Sequence, residues 1–154
     1  MAVRHHTARR WTARLGVTAV ACLAAAGLGL GTAQAAPATT PCAPTAKACM
    51  DLSSRQAWLT DGAGHVTAGP FAARGGQSGA ATPVGTFTVQ KKVKNYWSRA
   101  FDAPMPNSVF FKPGYAFHAG SPAIASHGCI HLNRGASQQF FDTLQVGDKV
   151  QIVP

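Results

Sequence analysis

Apolar and polar positions alternate over short distances along most of this chain, which is the spacing of β-strands rather than of amphipathic helices. Ala48–Leu52 and Gln56–Thr60 are short apolar runs. Asp61-Gly62-Ala63-Gly64 is a turn signal, and strand-like alternation resumes over 65–73, so 56–60 and 65–73 are expected to form a hairpin. Residues 74–81 are Gly/Ser-rich and read as a loop; they lack the Lys-Ser/Thr ending and following helix of a phosphate loop. Pro83 and Gly85 turn the chain into a strand over Thr86–Val89. Residues 101–106 (Phe-Asp-Ala-Pro-Met-Pro) cannot be helical and read as an extended loop, followed by a compact strand at Val109–Phe111. Residues 115–132 read as strand, short loop, strand. Only 135–144 carries a helical period: Ala136, Phe140 and Leu144 recur every four residues, with Asn133 as a plausible N-cap. A turn at 145–148 leads to a last strand over 149–153. Fold class from this pattern is all-β with one short helix near the C-terminus.

The first 35 residues have a different pattern. Arg4, Arg9, Arg10 and Arg14 precede an apolar run from Leu15 to Leu30, and Ala33-Gln34-Ala35 fits a small-x-small cleavage site. This predicts a signal peptide over 1–35, a Pro/Ala/Thr-rich arm over 36–47, and one domain over 48–154. The residues after Arg9-Arg10 fit a twin-arginine signal poorly, and the surroundings of Cys22 fit a lipoprotein poorly.

Composition then narrows the partners. The whole chain has 14 Lys+Arg against 5 Asp+Glu. Without the leader the balance is still basic, and there is no glutamate. A basic exported protein is drawn to anionic wall polymers or lipid surfaces. Export and the lack of a clustered basic stripe argue against nucleic acid. Lys91, Lys92 and Lys94 read as lysines on a solvated edge that discourage pairing, with an anion-binding lip as the alternative.

The chemistry gathers in 115–132, which holds three of the four histidines beyond the leader (His118, His127, His131) and Cys129. A thiolate is the attacking form of cysteine, and a neighbouring imidazole can take its proton. Cys42 and Cys49 are close enough in sequence to close a small loop, leaving Cys129 as an odd, reactive thiol. Equally, Cys129 can pair with one of them or be a buried apolar residue.

Ser126-His127-Gly128-Cys129-Ile130, with His118 upstream, resembles the signature of the YkuD-type L,D-transpeptidases. Thr82-Pro83-Val84-Gly85-Thr86-Phe87, the Met105-Pro106 segment, and Val146-Gly147-Asp148-Lys149-Val150 are similar to further segments of that family, in the same order. The resemblance implies a YkuD-like β-sandwich and a cysteine enzyme of the bacterial cell wall. Such enzymes cleave before the terminal D-alanine of a peptidoglycan stem tetrapeptide, hold the acyl group on cysteine, and pass it to an amine on a second stem as a 3→3 cross-link. On that reading Cys129 is the nucleophile, His118 the base, and the Ala119 carbonyl orients the base. Ser126, His127 and Gly128 line the oxyanion and acyl site, and Met105 and His131 are possible substrate contacts.

Donor and acceptor stems would be the partners, carbapenem β-lactams the inhibitors, and the protein a secreted monomer of the cell wall. Acyl transfer of this kind needs no cofactor and no metal. Two departures stand out: the His118–Cys129 interval is short for the family, and His131 stands where the family commonly has arginine. Rival readings are an L,D-carboxypeptidase, a non-catalytic wall-binding module, and a zinc site. The last requires 127–131 to be one strand, with His127, Cys129 and His131 on one face and His118 completing a CysHis₃ set.

Overall fold

The computed structural model describes residues 39–154, so the expected signal peptide over 1–35 lies outside the described residues. Nine strands and one helix follow in the order β1 (Ala48–Asp51), β2 (Gln56–Thr60), β3 (Val66–Arg74), β4 (Gly85–Thr88), β5 (Lys91–Ser98), β6 (Ala103–Lys112), β7 (Tyr115–Ala119), β8 (Ile130–Leu132), α1 (Arg134–Thr143) and β9 (Lys149–Val153). They form one sheet ordered β4-β9-β1-β2-β3-β8-β7-β6-β5. The sheet curls so that β4, at one end, meets β6, next to the other end. Phe87 and Phe111 touch there, with ring centroids 5.4 Å apart. The fold is therefore the mostly-β, single-helix architecture that the alternation pattern predicts.

The core fills the inside of this curl. Met50, Leu59, Val109, Phe111, Phe117, Ile130, Leu132, Val150 and Ile152 point into it, and α1 closes it with Ala136, Phe140 and Leu144, all 2% exposed or less. Ala136 and Phe140 share one face because they are spaced by four, and Leu144 follows as the C-cap. Asn133 caps the helix by accepting the Ala136 amide at 2.8 Å.

The β2–β3 hairpin is antiparallel, and β3 passes on to pair with β8. Residues 39–47, read as part of an arm, are fastened to the sheet. Cys42 is disulfide-bonded to Cys49, the Ala43 amide donates to the Gln151 side chain at 2.6 Å, and the Lys47 amide donates to the Lys149 carbonyl.

One stretch differs from expectation. Residues 103–106 are not a loop but the start of β6, paired with β5 as Ala103↔Ser98, Pro104↔Trp97, Met105↔Tyr96 and Pro106↔Asn95. Proline lacks a donor and is tolerated in a strand only where no partner needs one. Strand β7 pairs only with 109–112 of β6, so the two prolines, on alternate positions, lie where that side of the strand is open. Asn107 then takes a left-handed conformation (φ 59°) and donates through its side chain to Ser137 Oγ at 3.0 Å. This kink changes which residues face which side. Met105 before it and Phe110 after it end up together, with Ala116 and Cys129, on the face opposite the core.

Strand β5 is a true edge of the sheet. Its lysines bring their ammonium groups over aromatic rings: Lys91 Nζ lies 4.7 Å from the centre of Phe110, and Lys92 and Lys94 Nζ each lie 4.9 Å from that of Phe141. A cation over a ring face is attracted by the ring's negative face, so these lysines cover apolar edge surface without neutralising their charge.

Candidate active site

Alternation along β7 decides where the chemistry sits. Phe117 points into the core, so Ala116 and His118 point out the other way. Strand β8 runs parallel to β7, with Phe117↔Ile130 and His118↔His131 as register partners. His131 therefore stands on the same face as His118, their rings edge to face with centroids 4.9 Å apart. Cys129, one residue before β8, enters the same face from the connecting loop.

These side chains open into a cavity of about 420 Å³, lined by Met105, His118, Ala119, Ser126, His127, Cys129 and His131 among others. Every site residue expected from the sequence lines it except Gly128, which lies behind. Phe101 and Ile124 stand at its rim and are more than half exposed; Phe101 stacks on His127 at 4.7 Å.

His118 is 6% exposed, and its Nδ1 lies 2.9 Å from the Ala119 carbonyl oxygen. A carbonyl only accepts, so Nδ1 carries the proton and Nε2 holds the lone pair. Burial lowers the His118 pKa to about 4; the charge of His131 acts in the same direction, and the Ala119 carbonyl opposes it. At neutral pH the ring is an uncharged base.

Cys129 is a free thiol, 9% exposed, and burial raises its pKa against a smaller opposing interaction with the Ala116 backbone. The thiol contacts the Gly114 carbonyl at 3.7 Å. The resting pair is thus a neutral thiol and a neutral imidazole, not an ion pair.

The loop that delivers Cys129 is held by hydroxyl groups. Ser126 Oγ donates to the Cys129 carbonyl and accepts the Gly128 amide at 2.9 Å, which closes a tight turn. Gly128 sits at φ +112°, and a Cβ there would come within 2.6 Å of the Tyr115 ring, so only glycine fits. Because its amide is already engaged by Ser126, Gly128 gives the turn its shape rather than an oxyanion donor. The Cys129 amide has no acceptor among the described residues.

Thr82 braces the turn from behind, donating to the Gly128 carbonyl at 2.9 Å and accepting the Gly76 amide at 2.8 Å. Sequence reasoning gave no role to Thr82 or Gly76. Thr82 stood out only as the first residue of the family-like Thr82–Phe87 segment, and Gly76 as one glycine among several.

The strand assumed for a zinc site does not form, because β8 begins only at Ile130 and the left-handed Gly128 breaks the extended run. His127 turns to Phe101, while His131 Nδ1 holds the Ile124 carbonyl at 2.9 Å. Among the described residues no three His, Cys, Asp or Glu side chains converge as a ligand set.

A search of curated proteins finds no match. Among solved structures, an L,D-transpeptidase (Yku) from Stackebrandtia nassauensis is similar at 28% identity and TM-score 0.66, over 70% of this chain and 54% of that one. One from Xylanimonas cellulosilytica is similar at 23% identity and TM-score 0.66, over 75% and 63%. L,D-transpeptidase 3 from Mycobacterium tuberculosis, in complex with a faropenem-derived adduct, is similar at 21% identity and TM-score 0.60, over 70% and 59%. The chain thus spans little more than half the length of these proteins. The family profile described as YkuD, the L,D-transpeptidase catalytic domain, matches residues 46–152. Since that match takes in every strand of the sheet and the helix that closes it, the chain belongs to the YkuD family of L,D-transpeptidase catalytic domains.

Proposed function

We propose that this protein is a cysteine-dependent L,D-transpeptidase that joins peptidoglycan stem tetrapeptides in 3→3 cross-links through an acyl-cysteine, outside the cytoplasm and as a monomer. The observation that carries the reading is the pairing in one cavity of a free, nearly buried thiol with an imidazole whose tautomer is set by the Ala119 carbonyl.

From the neutral resting pair, the thiol turns from Gly114 toward the base as the donor stem enters. Sγ attacks the carbonyl carbon before the terminal D-alanine while its proton passes to His118 Nε2. The Cys129 amide is the donor placed to hold the oxyanion. Collapse breaks the C–N bond, and the imidazolium returns its proton to the departing amine. The acceptor amine then attacks the thioester and loses a proton to His118. The C–S bond breaks, and the sulfur leaves as a thiol reprotonated from the imidazolium. Ser126 and Gly128 shape this site, while Met105, His127 and His131 stand where substrate passes. No step needs a cofactor.

Carbapenem β-lactams are inhibitors on this reading, because a strained amide can take the place of the donor bond. Incubation with a carbapenem should add one drug mass to the intact protein. Cys129→Ala should remove the adduct completely; an adduct that survives the substitution would sink the assignment. Water in place of the acceptor amine would make the enzyme a carboxypeptidase, and product analysis with and without an acceptor stem separates the two.

A further inference from the structure

Away from the acyl cavity lies a smaller cleft of about 220 Å³, lined by Leu52, Arg55, Arg74, Gly75, Gly76 and Thr82, with Ala81. Two arginines line it, and no acidic residue does. The only ion pairs among the described residues are Lys47–Asp148 and His65–Asp61, so neither arginine has an acidic partner within 4 Å. The nearest acid in sequence, Asp51, accepts from the Ser53 amide and hydroxyl and the Ser54 amide instead. Arg55 also takes a left-handed backbone (φ 56°) at the last position of the β1–β2 turn, where glycine or asparagine is the unstrained choice. A large cationic side chain at such a position points to a use for the side chain.

The register ties this cleft to the active site. Arg74 pairs with His131, and His131 with His118, so the three stand in one row across β3, β8 and β7 on the face that carries the chemistry. Neighbouring strands are about 4.8 Å apart, which puts the Arg74 backbone roughly 10 Å from that of His118. An extended peptide covers that distance in about three residues. Between the two sites runs a wall made where Gly76 bridges to Ser126, and Thr82 links it to Gly128. The cleft is too small for a chain and suits one planar anion, which a guanidinium fork binds through two parallel hydrogen bonds.

We propose that Arg55 and Arg74 form a carboxylate subsite for the peptide substrate, holding an acidic group of the stem about three residues' reach from the bond that breaks. This rests on the transpeptidase reading above. Its test is a cycle of two ligands and two proteins. The ligands are a stem tetrapeptide and the same peptide with every carboxylate except the C-terminal one amidated. The proteins are the Cys129→Ala form and the same form with Arg55→Gly and Arg74→Gln, the glycine relaxing the strained position so that folding is preserved.

Equilibrium titration should show the carboxylate peptide binding about tenfold tighter than the amidated one to the first protein, and less than about twofold tighter to the second. Equal discrimination by both proteins, or none by the first, overturns the subsite. Binding of inorganic phosphate at the arginines with no carboxylate preference also overturns it, in favour of a phosphate-bearing ligand. The β-lactam adduct on Cys129 reports separately on the parent reading: its absence sinks that reading, and its presence with no discrimination sinks the subsite alone.

Discussion

Strands β6, β7 and β8 show two unlike faces. One bears Val109, Phe111, Phe117, Ile130 and Leu132, all sealed in the core. The other bears Phe110, Ala116, His118 and His131, with Cys129 beside them. The first face holds the backbone rigid through many small contacts. The second uses that rigidity: His118 and Cys129 are buried enough to be uncharged, yet they open onto a cavity. Burial in the core stabilises the fold, while burial at the site sets protonation.

The comparison can be broken at either face. His118→Gln keeps a polar side chain of similar reach but removes the base, and should slow carbapenem acylation by about 10²–10⁴-fold while thermal unfolding stays close to wild type. Stopped-flow or intact-mass time courses measure it. An unchanged rate would show that the thiol needs no base from β7.

Phe117→Ala, one residue away but on the other face, should do the reverse. It opens a void between β6, β7 and α1 and should cost about 3–5 kcal/mol in urea denaturation, with a much smaller change in acylation rate of the folded fraction.

A pH profile sharpens the contrast. Below its pKa of about 4 the His118 ring is protonated and cannot accept the thiol's proton, so the acylation rate should fall as pH drops through about 4. An ordinary imidazole would begin to lose rate near about 6.5. A decline centred there would mean that the ring is more solvated than its 6% exposure implies.

The smallest effect belongs to the far end of the core. Asn133→Ala removes the helix cap and should cost about 1 kcal/mol, leaving acylation rates untouched.

Where local spacing carried the information, the sequence could be read directly. The helix showed itself through Ala136, Phe140, Leu144 and a capping asparagine, and the β2–β3 hairpin through its glycine turn. The short Ser-His-Gly-Cys motif and the histidine before it contain four residues that line one cavity, Ser126, His127, Cys129 and His118, while Gly128 does not line it. What failed was everything set by pairing across distance. Two prolines argued against a strand at 103–106, because their harmlessness depends on β7 stopping short of them. The left-handed turn at Asn107 depends on a hydrogen bond to Ser137, thirty residues on. The parallel register that sets His131 beside His118, and Arg74 beside His131, cannot be seen in one dimension. Nor can the engagement of the Gly128 amide by Ser126, which only the folded turn brings about.

The neutral state of Cys129 has a consequence for its survival. Peroxide and small alkylating reagents consume the thiolate, and burial keeps its fraction low. A sulfur held in this way is spared by reagents that meet it at random. On the proposed mechanism it becomes reactive only toward a molecule that fills the cavity long enough for the neighbouring ring to take its proton. Selectivity of this kind protects Cys129, the one free cysteine among the described residues, from random oxidation.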